Sequence, residues 1–152
     1  VDNYFRWLAG AVLTGNYDGF EQNYAIYRSG KTGKFRMIPW DYEGTWGRNC
    51  YGRIVESDLV AVNGYNFLTR KLLGIDGFRR KYKAILQEAL SGAFTESRLM
   101  PVAEKLIYRI APYIREDATR RWAYRDFLGE PYVIRNYIRE RREIVQEELK
   151  RI

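Results

Sequence analysis

The segment Gly15–Tyr27, GNYDGFEQNYAIY, determines how the neighbouring parts of the chain are arranged. It begins with a glycine, which suits the end of a helix, and it leads into a run of aromatic and β-branched residues, which suits a strand. Asp18 and Asn23 stand between these two elements in a D-x-x-x-x-N arrangement. Because both residue types are common in turns, the pattern by itself leaves open whether they belong to a solvated loop or to an active site.

The residues before this segment predict a helix. Apolar side chains recur at helical spacing from Tyr4 to Leu13, so one face of the helix should be buried. Asp2 is expected to cap the start of this helix, and Gly15 is expected to end it in the left-handed conformation.

The residues after the segment predict a β-hairpin. The runs NYAIYR (23–28) and KFRMIPW (34–40) are rich in β-branched and aromatic residues, and the turn sequence SGKTG joins them. Asp41 follows the second run directly, in the sequence IPWDYEGTWG. A second acidic residue is therefore expected just past the end of the second strand.

The remainder of the chain predicts a long loop and then helices. Residues 42–64 are rich in Gly and Asn, with weak periodicity, and loops of this length are often functional. Helices are predicted over 65–73, 77–90 and 97–115 and from about Pro131 onward, with Pro101 in the first turn of the third. The predicted fold class is mostly α with a small antiparallel β-hairpin (α+β).

Two of these helices carry apolar stripes that we expect to be buried. The stripe of the helix over 97–115 consists of Leu99, Val102, Ala103, Leu106, Ile107 and Ile110. The stripe of the last helix consists of Ile134, Tyr137, Ile138, Arg141, Ile144, Val145 and Leu149. The second stripe includes an arginine, and it indicates either a packed terminal helix or a partner-binding surface.

The composition restricts the chemistry that the chain can perform. Among 152 residues there is no histidine and a single cysteine, Cys50, which we expect to be inert. Triads of the Ser-His-Asp type and zinc sites built from His or paired Cys are therefore excluded. Carboxylates, amides, hydroxyls, Lys and Arg remain, and carboxylate and amide oxygens bind hard cations such as Mg²⁺.

The net charge of +7 indicates either an anionic partner or a basic solvated surface. No apolar run reaches the length of a membrane span, and no signal-peptide pattern opens the sequence. The chain enters a helix almost at its first residue, so we expect it to be a piece of a longer protein.

The order of Asp18, Asn23 and Asp41 matches the order of polar groups in a protein-kinase active site. In the D-x-x-x-x-N element of kinases, the Asp accepts the proton of the substrate hydroxyl and the Asn binds magnesium, and a later Asp binds magnesium as well. This chain departs from ordinary kinases at two places. Asn16 and Tyr17 stand where His and Arg usually precede the catalytic Asp, and DYE (41–43) replaces DFG.

The combination of NYFRWLAGAVLTGNYDGFEQNYAIYR (3–28) with GKFRMIPWDYEGTWG (33–47) resembles the spore coat protein H family, the CotH kinases. The resemblance covers about a third of the chain and rests on the G-N-Y-D turn, the Asn-Tyr strand and the I-P-W-D sequence. It implies an atypical protein kinase that uses ATP and Mg²⁺ or Mn²⁺ to phosphorylate serines of spore coat-type proteins.

The resemblance also implies roles for individual residues. Asp18 would be the catalytic base, and Asn23 and Asp41 would bind the cofactor and its metal ion. Glu43 stands where the family often has a second aspartate, and it would support the metal or a water molecule.

Three further residues are expected to shape these loops. Trp40 and Trp46 should pack the metal-binding loop in place, and Asn16 should hold the catalytic turn through side-chain hydrogen bonds.

The resemblance further implies that residues 1–152 form a single domain like the C-lobe of a kinase, without the N-lobe that covers the nucleotide. Lys31 and Lys34, in the hairpin turn, are poor substitutes for the lysine that an N-lobe provides. The parent protein is then expected to be a serine kinase located in the spore coat or the mother-cell cytoplasm, whereas the fragment alone should be inactive.

Two other functional classes stay open at this point. One is a glycoside hydrolase that would use Asp18 with Asp41 or Glu43 as its acid–base pair and would need no metal. The other is a basic module that binds protein or nucleic acid through the Arg-rich final helices. Under the kinase interpretation the expected partners are ATP and a protein substrate, and neither a membrane nor a nucleic acid is expected.

Overall fold

The computed structural model describes all of residues 1–152 and confirms a mostly helical α+β chain with one two-stranded antiparallel sheet. None of its helices combines the length and the hydropathy that crossing a membrane would require. In chain order the elements are α1 (Asp2–Thr14), a 3₁₀ turn (Asp18–Phe20), β1 (Tyr24–Arg28), β2 (Phe35–Pro39), α2 (Phe67–Leu73), α3 (Asp76–Ser91), α4 (Glu96–Glu116), α5 (Tyr124–Leu128) and α6 (Glu130–Glu148).

Helix α1 lies at the centre of the hydrophobic core. Most of its side chains are buried, and Phe5, Leu8 and Val12 are completely inaccessible to solvent. Gly15 ends the helix in the left-handed conformation, with φ 72°, as predicted. The prediction for Asp2 was wrong, because Val1 is the N-cap residue and Asp2 lies inside the first turn, where it forms an ion pair with Lys81 of α3.

The hairpin is attached to α1 by its second strand. The amide of Met37 in β2 donates a hydrogen bond of 2.6 Å to Oδ1 of Asn3 in α1. The two strands form the predicted antiparallel hairpin, and they pair with Tyr24 opposite Pro39 and Arg28 opposite Phe35. Most of the ribbon is exposed to solvent, and Trp40, at its end, is 65% exposed. The prediction that Trp40 packs the following loop in place was therefore wrong.

Residues 42–64 form the predicted irregular segment, and α6 holds this segment against α1. The side chain of Arg141 is completely buried. Its Nε donates to the carbonyl of Val12 at 3.0 Å, and its Nη atoms donate to the carbonyls of Ser57, at 3.0 Å, and Val60. No carboxylate pairs with this arginine, so its guanidinium is satisfied by backbone oxygens from α1 and the long segment.

The backbone carbonyls at the C-terminal end of α1 accept hydrogen bonds from residues that are distant in sequence. The last carbonyls of a helix lack partners within the helix itself. The hydroxyl of Tyr137 in α6 donates to the carbonyl of Leu13 at 3.0 Å, and the amide of Trp46 donates to the carbonyl of Thr14 at 2.8 Å. Together with the hydrogen bond from Arg141 to the carbonyl of Val12, these bonds fix the point at which the chain leaves α1.

The apolar stripe of α4 is less buried than its spacing predicted. Met100, Ile107 and Ala111 are buried, but Val102, Leu106 and Ile110 are exposed. Helix α4 packs on α5 and α6, and Val102 and Leu106 line an apolar groove with Trp46 and Ile134.

Two local predictions about the second half of the chain need correction. Helix α4 begins at Glu96, so Pro101 lies beyond the first turn, inside the helix, as does Pro112. A proline there cannot donate a backbone hydrogen bond, yet the helix continues through both positions. The short helix α5 was not predicted from the sequence.

Replacement of Arg141 tests the importance of its buried contacts. Arg141→Met should lower the free energy of unfolding by about 3 kcal/mol, because it leaves loop carbonyls without a donor. Chemical denaturation measures this change. Arg139→Met is the matched control on the same helix, since it removes only an exposed ion pair with Glu96 and should change stability little. Similar effects of the two variants would contradict the assignment.

Candidate functional site

The turn after α1 brings Asp18 and Asn23 together. The carbonyl of Asp18 accepts hydrogen bonds from the amides of Gln22 and Asn23, both at 3.2 Å. Asp18 begins the 3₁₀ turn, and the side chain of Phe20 at its end is 1% exposed. This buried anchor contacts Trp7 and Tyr65 edge to face. Asp18 and Asn23 are themselves half-buried, so their polar groups lie near the surface of a firmly packed turn.

Asn16 holds this turn, as predicted from the sequence. Its side chain is 1% exposed, and its Oδ1 accepts a hydrogen bond of 3.0 Å from the amide of Gly19. A side chain at Gly19 would collide with this amide group, since a Cβ there would lie 2.9 Å from Nδ2 of Asn16. Glycine is therefore required at position 19, because the side chain of Asn16 lies too close to leave room for a Cβ atom.

The pairing of the hairpin places Asp41 at the same end of the ribbon as Asn23. Tyr24 pairs with Pro39, so Asn23 precedes the first rung and Asp41 follows it by two residues on the other strand. The backbone of Asp41 is left-handed, with φ 57°. A positive φ outside glycine is uncommon, although aspartate tolerates it better than most residues. Asp41 is exposed to solvent.

The acidic side chains of Asp41 and Asp18 affect Glu43 at this end of the ribbon. A hydrogen bond shared with the carboxyl group of Asp41 raises the pKa of Glu43, and burial and the negative charges of Asp41 and Asp18 raise it further. No group of three or more His, Cys, Asp or Glu side chains in the chain is arranged to hold a metal ion.

Tyr42 connects the loop that bears Asp41 with the turn that bears Asp18. Burial raises the pKa of the Tyr42 hydroxyl, and the neighbouring side chain of Asn16 partly offsets this effect. Nδ2 of Asn16 is buried and forms no hydrogen bond of normal geometry. The sequence analysis did not identify Tyr42, although its position between two site residues could have drawn attention to it.

Trp46 packs the far end of the loop, as predicted. Its ring stacks on Phe94 at 6.0 Å and meets Tyr137 edge to face at 6.4 Å. Its backbone has φ 58°, which is a strained conformation for a bulky residue. The loop between Asp41 and Trp46 thus has a left-handed residue at each end, and packing against α6 maintains the second.

Another contact lies beside Asp18 and was missed from the sequence. The hydroxyl of Tyr17 and Sγ of the exposed Cys50 lie 3.2 Å apart. The interaction with Cys50, together with burial and the charge of Asp18, raises the pKa of Tyr17. The five main cavities of the chain are lined by residues other than Tyr17, Cys50 and the candidate site residues Asp18, Asn23, Asp41 and Glu43.

The chain is similar to known proteins over almost its whole length. The sequence model of the family described as CotH kinase protein matches residues 1–145. The chain is also similar to the inner spore coat protein H of Bacillus subtilis (strain 168), with 43% identity over 149 residues. That alignment covers 98% of this chain and 41% of the relative, so the chain spans about two-fifths of the relative's length.

The effect of Asp41 on the titration of Glu43 can be measured directly. The carboxyl carbon of Glu43, followed by NMR, should titrate above the ordinary range of glutamate, and Asp41→Asn should return it toward that range. Because the folded-state pKa is raised, the stability contribution of Glu43 is present at low pH and is lost as the pH rises through that pKa. Asp58→Asn, in the long segment, is the matched control and should leave the titration unchanged. An ordinary titration of Glu43 in the unmodified chain would contradict this assignment.

Proposed function

The chain belongs to the CotH kinase protein family, and from this membership we propose that it is the C-terminal catalytic portion of an atypical protein kinase. The reaction is transfer of the γ-phosphate of ATP to serine side chains of spore coat-type proteins. The observation that supports the proposal is that the turn bearing Asp18 and Asn23 and the loop bearing Asp41 lie at the same end of the hairpin.

The oxygen donors at this end of the ribbon fit Mg²⁺ or Mn²⁺. Asn23 and Asp41 would hold the metal ion, and Glu43 is close enough to Asp41 to support it or an associated water. Magnesium in phosphoryl-transfer sites takes one or two protein ligands and completes its shell with waters and substrate phosphates. When bound, the metal ion would neutralise charge that develops on the transferred phosphoryl group.

Asp18 is the proposed catalytic base. Its carboxylate would accept the proton of the serine hydroxyl and orient that hydroxyl toward the phosphate. The residues around it serve to position it. Asn16 fixes the turn through the amide of Gly19, and Phe20 anchors the other end of the turn in the core.

The open surface of the site fits half of a two-lobed enzyme. Asp41 and Glu43 are exposed, and none of the larger cavities encloses them. We propose that residues 1–152 correspond to a kinase C-lobe, and that an N-lobe elsewhere in the full-length protein covers the nucleotide and contributes a phosphate-binding lysine. On this proposal the chain alone binds ATP weakly and turns over slowly or not at all.

The relative suggests where the reaction takes place. The protein with 43% identity is a coat protein of the inner spore coat. We propose that the present chain likewise acts on the spore coat, or in the mother-cell cytoplasm where that coat assembles, during sporulation.

Labelled-phosphate transfer to a serine-containing coat-type protein tests the proposal. The full-length protein should incorporate phosphate with Mg²⁺ or Mn²⁺, and Asp18→Asn should lower the rate about a hundredfold or more through loss of the general base. Asp41→Ala should act similarly by weakening metal binding. Asp58→Asn removes an exposed carboxylate outside the site and should retain activity. Equal incorporation by all four proteins would end the kinase proposal.

The same variants separate the two alternatives. A glycoside hydrolase that uses Asp18 and Asp41 would cleave its substrate after all divalent metal has been chelated. A basic binding module would keep its salt-dependent binding after Asp18→Ala. The kinase proposal instead predicts loss of phosphate transfer in a chain that stays folded.

A further inference from the structure

An apolar groove, which we call the α4 groove, lies beside the exposed face of α4. It has a volume of about 260 Å³, and all seven residues that line it are hydrophobic. Five of them belong to α4, and Trp46 of the irregular segment and Ile134 of α6 lie across from them. A concave apolar surface of this kind suits the inserted side chains of a partner.

The exposed apolar surface continues along α4 beyond the groove. Val102 is 57% exposed and Leu106 is 55% exposed, and Ile110 and Tyr113 further along the helix are exposed as well. Residues three or four positions apart are neighbours on the surface of a helix. These four side chains therefore form one contiguous apolar stripe, which is a common sign of an interaction surface.

Three unpaired cations border this stripe. Arg98, Lys105 and Arg109 are exposed, and none of them forms a salt bridge. At 3.6 residues per turn they lie along one border of the stripe, and the buried Ile107 lies beyond the other border. Glu116, in the last turn, is the one carboxylate on the same border. The border is therefore positively charged over most of its length.

Charge and shape together select one kind of occupant. A second copy of the chain, packed through the same stripe, would bring the cations of two α4 helices close to one another, and like charges across an interface are unfavourable. An anionic membrane surface would attract the cations but would leave the concave groove unfilled. An amphipathic helix with carboxylates beside its apolar face satisfies both the groove and the cations.

The α4 groove also adjoins the packing that holds the candidate site. Trp46 lines the groove, and its ring stacks on Phe94 at the far end of the loop that begins at Asp41. A helix bound in the groove would therefore contact a side chain that holds this loop.

We propose that the α4 groove binds an acidic amphipathic helix of a partner protein. Apolar side chains of that helix, spaced at i, i+3, i+4 and i+7, fill the groove and cover the stripe. Its carboxylates lie beside Arg98, Lys105 and Arg109, where they fix the orientation of the helix and speed its association. The proposal concerns a surface other than the one that bears Asp18, and it does not depend on the proposed kinase activity.

Binding of fluorescent helical peptides to the full-length protein, without ATP or metal, tests the proposal. One peptide carries leucines at helical spacing with glutamates beside them, and a second has lysines in place of the glutamates. The glutamate peptide should bind at least about tenfold more tightly than the lysine peptide, and added salt should reduce this preference. The triple variant Arg98→Gln/Lys105→Gln/Arg109→Gln should bind the two peptides equally.

A matched pair of single variants locates the binding surface. Leu106→Glu places a negative charge in the groove and should abolish binding of the glutamate peptide. Tyr108→Glu makes a similar change at an exposed position on the opposite face of α4 and should retain binding. Circular dichroism verifies that both variants keep their helices.

Several results would overturn the proposal. If the full-length protein binds neither peptide, other parts of that protein cover the groove. Equal affinity of the unmodified protein for the two peptides would show that charge is not recognised, and equal losses in Leu106→Glu and Tyr108→Glu would place the binding elsewhere. A dimer that dissociates in Leu106→Glu, measured by sedimentation, would make a second copy the occupant. Binding to phosphatidylserine vesicles that Leu106→Glu abolishes would indicate a membrane instead.

Discussion

The buried guanidinium of Arg141 is the interaction on which the rest of the structure depends. It lies in the core without a carboxylate partner, and backbone carbonyls of Val12, Ser57 and Val60 satisfy it. A cation at the carboxyl end of a helix is favourable, because the carbonyls there carry partial negative charge. One side chain therefore joins α6, the end of α1 and the long irregular segment, and the proposed catalytic turn begins where α1 ends.

The two loops of the candidate site are held relative to each other by the same end of α1. The amide of Trp46 bonds to the carbonyl of Thr14, and Asn16 interacts with the hydroxyl of Tyr42. Asp41 and Trp46 both have positive φ, a conformation that persists only where the surroundings impose it. Here Phe94 and α6 impose it at Trp46. Packing far from the carboxylates thus holds the far end of the loop that begins at Asp41.

Sequence patterns predicted the parts of the fold that depend on local spacing. The helix before Gly15, the hairpin and the irregular segment all followed from periodicity and turn residues, and the stripe of α6 correctly included Arg141. Periodicity identifies an apolar face but not whether a partner covers it, so Leu106 and its neighbours on α4 were wrongly expected to be buried. The order of Asp18 and Asp41 was visible in the sequence. The raised pKa of Glu43, in contrast, depends on contacts in the folded chain that the spacing of residues along the sequence does not reveal.

The central claim is that Asn23 and Asp41 bind one divalent cation beside Asp18. Paramagnetic Mn²⁺ in the presence of ATP broadens NMR signals according to their distance from the ion, so a titration of the labelled protein tests the claim directly. The account predicts that amide signals of the turn at Asp18–Asn23 and of the loop at Asp41–Glu43 broaden first, and that Asp41→Asn removes this selectivity. Broadening centred on another surface, or unchanged by Asp41→Asn, would contradict it.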